Sequence, residues 1–368
     1  MSINCRFAIL SDPHIALPHT VWEHPSRFHL VEISISALEE VLSHLETLPL
    51  DFLLIPGDLT QHGEAENHHW LATRLQCLPF PSYVIPGNHD LIHRQANENT
   101  IGCEDFARYY HQCGYDQTEN LYYTQVLLPG VRLVGLNSIQ FDETGAQNPR
   151  GYVDAAQLSW LEQVLSQATE DVILVMIHHN IIEHLPGQSH HRLGQRYLLA
   201  KDTQLRRSLQ EGGVKLVFTG HLHVQDIAEC QGLYDITTGS LVTYPHPYRL
   251  LSLHTDVNGQ QWLQIESHRV EAVPGWPQLQ STSRQWTMDR CAPFIGNFLE
   301  TLPLKLSASE ARNLMPELRH FWADLAAGDA QFQLPNIPGP IRHHFEAFSS
   351  RDENGHPVYM DNHISLLL

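Results

Sequence analysis

Phe52-Leu53-Leu54-Ile55-Pro56-Gly57-Asp58 reads as a short buried strand that runs out through a turn onto a carboxylate. The same event recurs along the chain. Phe7 to Leu10 leads to Asp12-Pro13-His14, Tyr83 to Ile85 to Gly87-Asn88-His89-Asp90, Val172 to Ile177 to His178-His179, and Leu216 to Phe218 to Gly220-His221-Leu222-His223. Helix-like segments separate several of these runs, at Ser26 to Leu48, Glu64 to Cys77, Ala155 to Ala168 and Thr203 to Gln210. That alternation predicts an α/β fold. An open α/β sheet gathers the carboxyl ends of its strands on one rim, at roughly 5 Å spacing. Five polar blocks distant in sequence are therefore predicted to converge, with glycines 57, 87 and 220 forming the tight turns between strand and ligand.

The residue types at these strand ends are oxygen and imidazole donors, enough for two metal ions. Two divalent ions about 3.5–4 Å apart need a bridging group, and the two oxygens of Asp58 make it the candidate bridge. His14, His178, His221 and His223, the Asp12 carboxylate and the Asn88 amide oxygen complete two mixed nitrogen and oxygen shells. Such shells suit Mn, Fe, Zn, Co or Ni, and with no cysteine in any block a structural thiolate zinc site is not expected. Two ions so placed would lower the pKa of a bound water, give hydroxide near neutral pH and neutralise phosphoryl oxygens. The expected chemistry is phosphoester hydrolysis.

In the order D-x-H, G-D, G-N-H-[DE], H, G-H-x-H, the five blocks resemble the calcineurin-like metallophosphoesterases. The full ordered set is specific, whereas a lone D-x-H or G-H-x-H would be weak. Gly57-Asp58-Leu59-Thr60 with Gly63, followed by Pro86-Gly87-Asn88-His89-Asp90, is more similar to the class III cyclic nucleotide phosphodiesterase and glycerophosphodiesterase branch. The G-D-x-V-D-R-G and G-N-H-E blocks of protein serine/threonine phosphatases are absent. The resemblance takes in Gly151 and Gln157-Leu158-Ser159-Trp160-Leu161, and reaches about Val270.

What the resemblance implies is a four-layer αββα sandwich. It places Asp12, His14, Asp58 and His223 on one metal, and Asp58, Asn88, His178 and His221 on the other. His89 then stands beside Asp58 as a catalytic residue that stabilises the transition state or protonates the leaving alkoxide. Two divalent ions (Mn, Fe, Zn, Co, Ni or Mg) are implied, with Mn or Fe favoured. The implied reaction is hydrolysis of a small phosphodiester, a 3',5'-cyclic nucleotide being the leading candidate. The alternatives are a glycerophosphodiesterase, a phosphomonoesterase or a nuclease of the same superfamily, or a metal-free interaction scaffold. Two departures stand out: His178-His179-Asn180-Ile181 where many relatives have His-His-Pro-Pro, and Leu136-Asn137-Ser138 where many have Leu-Asp-Ser. Of the histidine pair, His178 is taken as the ligand because the next residue should point to the other face, with His179 as the alternative.

The chain carries 26 His against 22 Lys plus Arg, so most histidines need another reading. His62, His68, His69, His343 and His344 are expected on solvated faces. His19, His24, His190, His191 and His246 fall in loops where substrate selectivity is built, and Asn180 and Glu183 follow close behind a ligand strand.

At 368 residues the chain exceeds one hydrophobic core. Val273-Pro274-Gly275-Trp276-Pro277 marks a seam between a catalytic domain over 1–272 and a mainly helical accessory region over 273–368. There Ser307-Ala308-Ser309-Glu310 has the form of a capping box, Leu314, Leu318, Phe321, Trp322 and Leu325 recur at helical spacing, and Pro316 is expected to bend or restart the helix. That stripe is read as covering the catalytic flank, forming a homo-oligomer contact, or walling the substrate cleft. Six cysteines without a C-x-x-C pair read as reduced thiols. No leader pattern opens the sequence and no apolar run approaches the roughly 20 residues of a membrane span, so a cytoplasmic protein without a membrane partner is expected. A formal net charge of −19 argues against a nucleic-acid polymer as partner.

Overall fold

The computed structural model describes the whole chain except Met1, Glu23, Pro25, Ser26, residues 302–304 and Glu353. The N-terminal half runs β1 (Asn4–Ile9), α1 (Ser34–Leu45), β2 (Phe52–Ile55), α2 (Ala65–Gln76), β3 (Ser82–Val84) and α3 (Cys103–Tyr109). There follow β4 (Tyr123–Leu128), β5 (Val131–Gly135), α4 (Ala155–Gln167), β6 (Val172–Met176), α5 (Asp202–Glu211), β7 (Leu216–Thr219), β8 (Asp226–Cys230) and β9 (Leu233–Thr237). The hairpin β10 (Pro247–Thr255) and β11 (Gln261–Arg269) leads to α6 (Leu279–Thr301), α7 (Ala308–Leu318), α8 (Phe321–Ala326), α9 (Gly339–Glu346) and β12 (His363–Leu367).

Among the described residues these strands form two six-stranded sheets, ordered β12-β11-β10-β1-β2-β3 and β4-β5-β6-β7-β9-β8. Helical crossovers force β1, β2 and β3 to run parallel, and likewise β5, β6 and β7. The period of two along a strand then decides what each residue packs against. In β6, Val172, Leu174 and Met176 join the large core that also holds Phe7 and Phe52 of the first sheet, while Ile173 and Val175 join Leu158, Leu161 and Leu209 of α4 and α5. Phe7 meets Phe218 edge to face with centroids 5.9 Å apart, which fixes the sheets face to face. With α1 and α2 contributing Leu38, Val41 and Leu71 to the same core, the architecture is the αββα sandwich expected.

Helix α1 begins at Ser34, not near Ser26, which lies outside the described residues. The Leu30 N–H is taken by the Val242 carbonyl at 2.8 Å, so residues 27–30 run as a loop into a short 3-10 turn at Val31–Ile33. Helix α7 opens on the capping box: the Ser307 hydroxyl accepts from the Glu310 N–H and the Glu310 carboxylate from the Ser307 N–H. It passes through Pro316, ends at Leu318, and restarts as α8.

The apolar stripe of this region is turned inward. Leu318, Phe321, Trp322 and Leu325 form a third cluster with Cys291 and Ile295 of α6, and with Leu222 and Val224. The strand β12 pairs with the edge of β11, Ile364 opposite Ile265. No helix among the described residues is long and apolar enough to cross a membrane.

Candidate metal centre

The ends of β1 and β2 keep pairing past their last regular residues, through Asp12 N to Gly57 O (3.3 Å) and His14 N to Asp58 O (3.0 Å). In the second sheet the ends of β6 and β7 pair likewise, Gly220 N to His178 O (3.1 Å), and the His221 N–H reaches the Asp12 carboxylate of the first sheet at 3.0 Å. Glycine is needed where blocks touch. A Cβ on Gly87 would lie 2.1 Å from the Asp58 nitrogen, and one on Gly220 would lie 2.3 Å from Asp12 Oδ2. Of the three glycines only Gly57 adopts a left-handed φ, +97°; the other two serve close approach, not the turn conformation that their sequence position suggested.

All seven predicted ligands converge. Asp12, His14, Asp58 and His223 can each offer one donor atom within 4.8 Å of the others, as can Asp58, His178 and His221. Asp58 belongs to both groups. Its Oδ2 lies 3.7 Å from His14 Nε2 and 3.4 Å from His178 Nε2. Asn88 Oδ1 lies 3.1 Å from the same His178 nitrogen.

The outer contacts orient these rings as metal-ligating histidines are usually oriented. His178 Nδ1 donates to the Pro56 carbonyl (2.8 Å), which turns Nε2 toward Asp58 and Asn88. His221 Nε2 lies 3.1 Å from the Arg196 carbonyl, which leaves Nδ1 for the cluster. The Asp12 carboxylate is held by the Ser11 hydroxyl and the His221 N–H. Asp90 braces the arrangement from behind, accepting from the N–H groups of Leu59, Thr60 and Gly87. His179 points elsewhere: its Nδ1 meets the Ser138 hydroxyl at 2.8 Å.

The donor chemistry fits divalent ions. Burial first, then neighbouring histidines, hold His14 and His221 well below the ordinary imidazole value, so both present neutral lone pairs. Burial works to raise Asp58, but His178 and His89 outweigh it and hold the carboxyl well below its usual range. His178 itself is opposed by burial, yet Asp58 pushes it up to about 9. His14 and His223 face each other Nε2 to Nε2 at 3.5 Å, and His14 Nδ1 is buried with no partner among the described residues. Asp12, His14, Asp58, His221 and His223 all have positive φ, between 41° and 66°. Non-glycine residues adopt that conformation only where the surroundings impose it, and such strain clusters at functional sites.

His89 stands at the mouth of the cluster. Its backbone N–H donates to Asp58 Oδ1 (2.7 Å), and its Nδ1 lies 2.7 Å from the Gln61 carbonyl. A carbonyl only accepts, so Nδ1 carries a proton and Nε2 is the ring nitrogen left for the cleft.

His29 was not found by sequence reasoning. Its ring lies 4.1 Å from that of His14 and 4.7 Å from that of His223, and it can offer a donor atom together with both. The sequence reading placed it inside the helix-like segment Ser26 to Leu48, whereas it lies before the helix, which begins at Ser34. A cleft of about 560 Å³ opens over Asp58, Asn88 and His89, and its far wall is Arg290, Phe294 and Trp322 of the C-terminal helices.

The remaining histidines divide. His68, expected on a solvated face, is fully buried between Thr60 and Tyr110 because α2 turns it against the G-D block. His62 stacks on His89 and is half-buried, and His344 is drawn in by Phe298 and Phe348. His19 pairs with Glu66 at the surface, His24 stacks on Trp22, and His246 is buried against the Leu241 carbonyl. Asn180 is buried, donating to Thr219, and Glu183 caps the Ser189 N–H.

Residues 5–225 match the family described as calcineurin-like phosphoesterase. A probable cyclic nucleotide phosphodiesterase of Vesicomyosocius okutanii subsp. Calyptogena okutanii is 28% identical over 142 residues, 39% of this chain and 51% of its own. A probable glycerophosphodiester phosphodiesterase GpdQ of Arcobacter nitrofigilis is 27% identical over 161 residues, 42% of this chain and 52% of its own. The chain thus spans about half the length of these curated relatives. Among solved structures, a dimetal phosphatase from Danio rerio aligns with a TM-score of 0.55 at 13% identity, over 72% of this chain and 96% of that one, a likeness of fold.

Proposed function

The chain belongs to the calcineurin-like phosphoesterase family, and from that premise we propose that it hydrolyses a small phosphodiester, with a 3',5'-cyclic nucleotide as substrate, at a centre of two divalent metal ions. The observation that carries the proposal is the sharing of Asp58 by two ligand groups at one rim. Asp12, His14, Asp58 and His223 would hold one ion, and Asp58, Asn88, His178 and His221 the other. The chemistry supplied on binding is a water of lowered pKa and positive charge against the phosphoryl oxygens.

The chain's own residues do the rest. His89, fixed through Nδ1 on Gln61, directs Nε2 at the cleft and as imidazolium donates to a phosphoryl oxygen or to the departing alkoxide. Arg196 and Arg290, which line the cleft, offer positive charge to a substrate phosphate. Residues 1–272 form the catalytic part in this reading, and 273–368 an accessory part that walls the cleft. A net charge of −19 favours a small diester over a polymer, and relatives named as cyclic nucleotide phosphodiesterases support the choice of substrate.

The test is hydrolysis of a chromogenic phosphodiester beside its monoester by metal-stripped protein reloaded with Mn, Fe, Zn, Co, Ni or Mg. About two metal equivalents per chain and diester turnover that disappears in Asp58→Ala and Asn88→Ala are expected. Near-normal rates in either variant would falsify the assignment. Turnover of the monoester alone would move the reading to a phosphomonoesterase.

A further inference from the structure

We infer that an aromatic chamber beside the metal cleft seats the nucleobase of the substrate; this deepens the reading proposed above and rests on it. The chamber measures about 330 Å³, within the range of about 300–1,000 Å³ usual for small-ligand sites. The loop around the 3-10 turns Gln188–His190 and Gly194–Arg196 forms one wall, and helices α6, α8 and α9 form the others. Tyr197, Phe294 and Trp322 line both this chamber and the metal cleft. The Tyr197 ring lies 5.2 Å from that of His221, so one aromatic ring separates the ligand cluster from the chamber.

Two features select the occupant. Phe298, Phe345 and Phe348 line the chamber, with Phe298 edge to face with the other two at 5.8 and 6.1 Å, an aromatic wall against which a planar ring packs well. The second feature is polar. Gln188 is only 3% exposed, and its Oε1 accepts from the N–H groups of His184 and Leu185 at 2.9 and 3.2 Å. Those two bonds fix the amide orientation and leave Nε2, a donor, with no partner among the described residues. Nε2 of His344, on the facing helix α9, is likewise buried without a partner. A hydrocarbon chain would leave both atoms unsatisfied, and a glycerol has no face to cover the phenyl rings. A heterocycle with ring nitrogens and exocyclic polar groups satisfies the rings and the two polar atoms together.

The experiment uses the full metal-loaded chain and two variants, Gln188→Glu and His344→Phe. Gln188→Glu keeps an oxygen for the two backbone N–H groups but replaces the free donor by an acceptor, and His344→Phe keeps a ring but removes the nitrogen. Calorimetry with adenosine and guanosine, which carry no phosphate, reads the chamber without the metal centre. At least one nucleoside is expected to bind wild-type protein and to bind Gln188→Glu about tenfold more weakly or worse. The ratio of kcat/KM for cyclic nucleotides to that for ethyl 4-nitrophenyl phosphate, a diester without a base, is expected to fall by a similar factor in both variants.

Diester turnover with no nucleoside binding and an unchanged ratio overturns the chamber assignment while leaving the proposed reaction intact. Nucleoside binding that depends on Gln188 in a protein that turns over no diester upholds the chamber and removes the reaction. An octyl phosphodiester that competes better than either nucleoside overturns the assignment in favour of a hydrocarbon seat.

Discussion

Replacing Leu222 by Ala should weaken metal binding, although Leu222 offers no ligand atom. It stands between His221 and His223, is 1% exposed, and belongs to the cluster formed with α6 and α8. Three buried carbon groups are lost, at about 0.8 kcal/mol each a transfer cost of about 2.4 kcal/mol. A cavity that fails to collapse adds about 24 cal/mol per Å³, which brings the expected loss of stability to roughly 3–4 kcal/mol. The flanking His221 and His223 are held at φ of 66° and 58°, a conformation that costs of order 1–3 kcal/mol each and persists only under constraint. Once the packing slackens, part of that strain is released by moving the two imidazoles. A shift of 1.4 kcal/mol against the bound geometry is about a tenfold loss of affinity. Urea unfolding of metal-free protein measures the first quantity and titration with Mn or Zn the second, with Leu222→Met, a near volume-conserving change that costs below about 1.5 kcal/mol, as control. A Leu222→Ala protein that is destabilised but binds metal as tightly as wild type refutes the coupling, and one that is not destabilised refutes the packing too.

Three further outcomes are expected. The His184 side chain is wholly buried, 2.6 Å from Asp226 and 3.4 Å from Asp235; burial opposes its charge, but Asp235 and then Asp226 push its pKa from 6.5 up to about 10. Its contribution to stability is therefore complete below pH 6.5 and is lost as pH rises toward 10, with a ceiling of roughly 5 kcal/mol. Unfolding free energies between pH 6 and 10 should slope downward less in His184→Gln, and identical slopes would sink the argument. Asp90→Asn keeps the shape but places an NH₂ against buried N–H donors of Leu59, Thr60 and Gly87; at about 1–3 kcal/mol for each unsatisfied group, a fall of roughly 2–5 kcal/mol in the urea unfolding free energy is expected, and an unmoved midpoint counts against the bracing role. Gly87→Ala would drive a methyl group to 2.3 Å from Asp58 Oδ1, so elemental analysis should find well under one metal equivalent in a protein with wild-type circular dichroism; two retained equivalents would show that Asp58 is not positioned by this contact.

What the sequence made legible was the alternation of apolar strands with helices and the polar blocks at strand ends, because both follow from local periodicity and the topology of parallel strands. The limits of β2, α2, α4 and α5 fall within one or two residues of the sequence reading for the same reason. The strand β12 was missed because it is five residues long, lies on an edge, and owes its pairing to β11, about a hundred residues earlier. His68 was misread because the helix face that buries it is decided by Tyr110, on the far side of β3.

The loop carrying His29 shows why part of the site stays hidden from local pattern. Its course is set from the C-terminal region: Trp286 donates to the Phe28 carbonyl at 2.9 Å and Arg290 to the Arg27 carbonyl at 2.7 Å, with the Arg290 guanidinium 3.2 Å over the Trp286 ring. Partners more than 250 residues apart leave no periodic trace in either segment. The same helix, α6, sends Phe294 into the cleft and shares a core with Leu222, so it shapes the cleft from one side and backs two of the proposed ligand histidines from the other. Three of the five blocks place their chemistry where the backbone is least comfortable, with Asp12, His14, Asp58, His221 and His223 holding left-handed φ that glycine or asparagine would adopt more easily. Local preference and required chemistry conflict there, and the conflict is sustained by packing contributed from the opposite end of the chain.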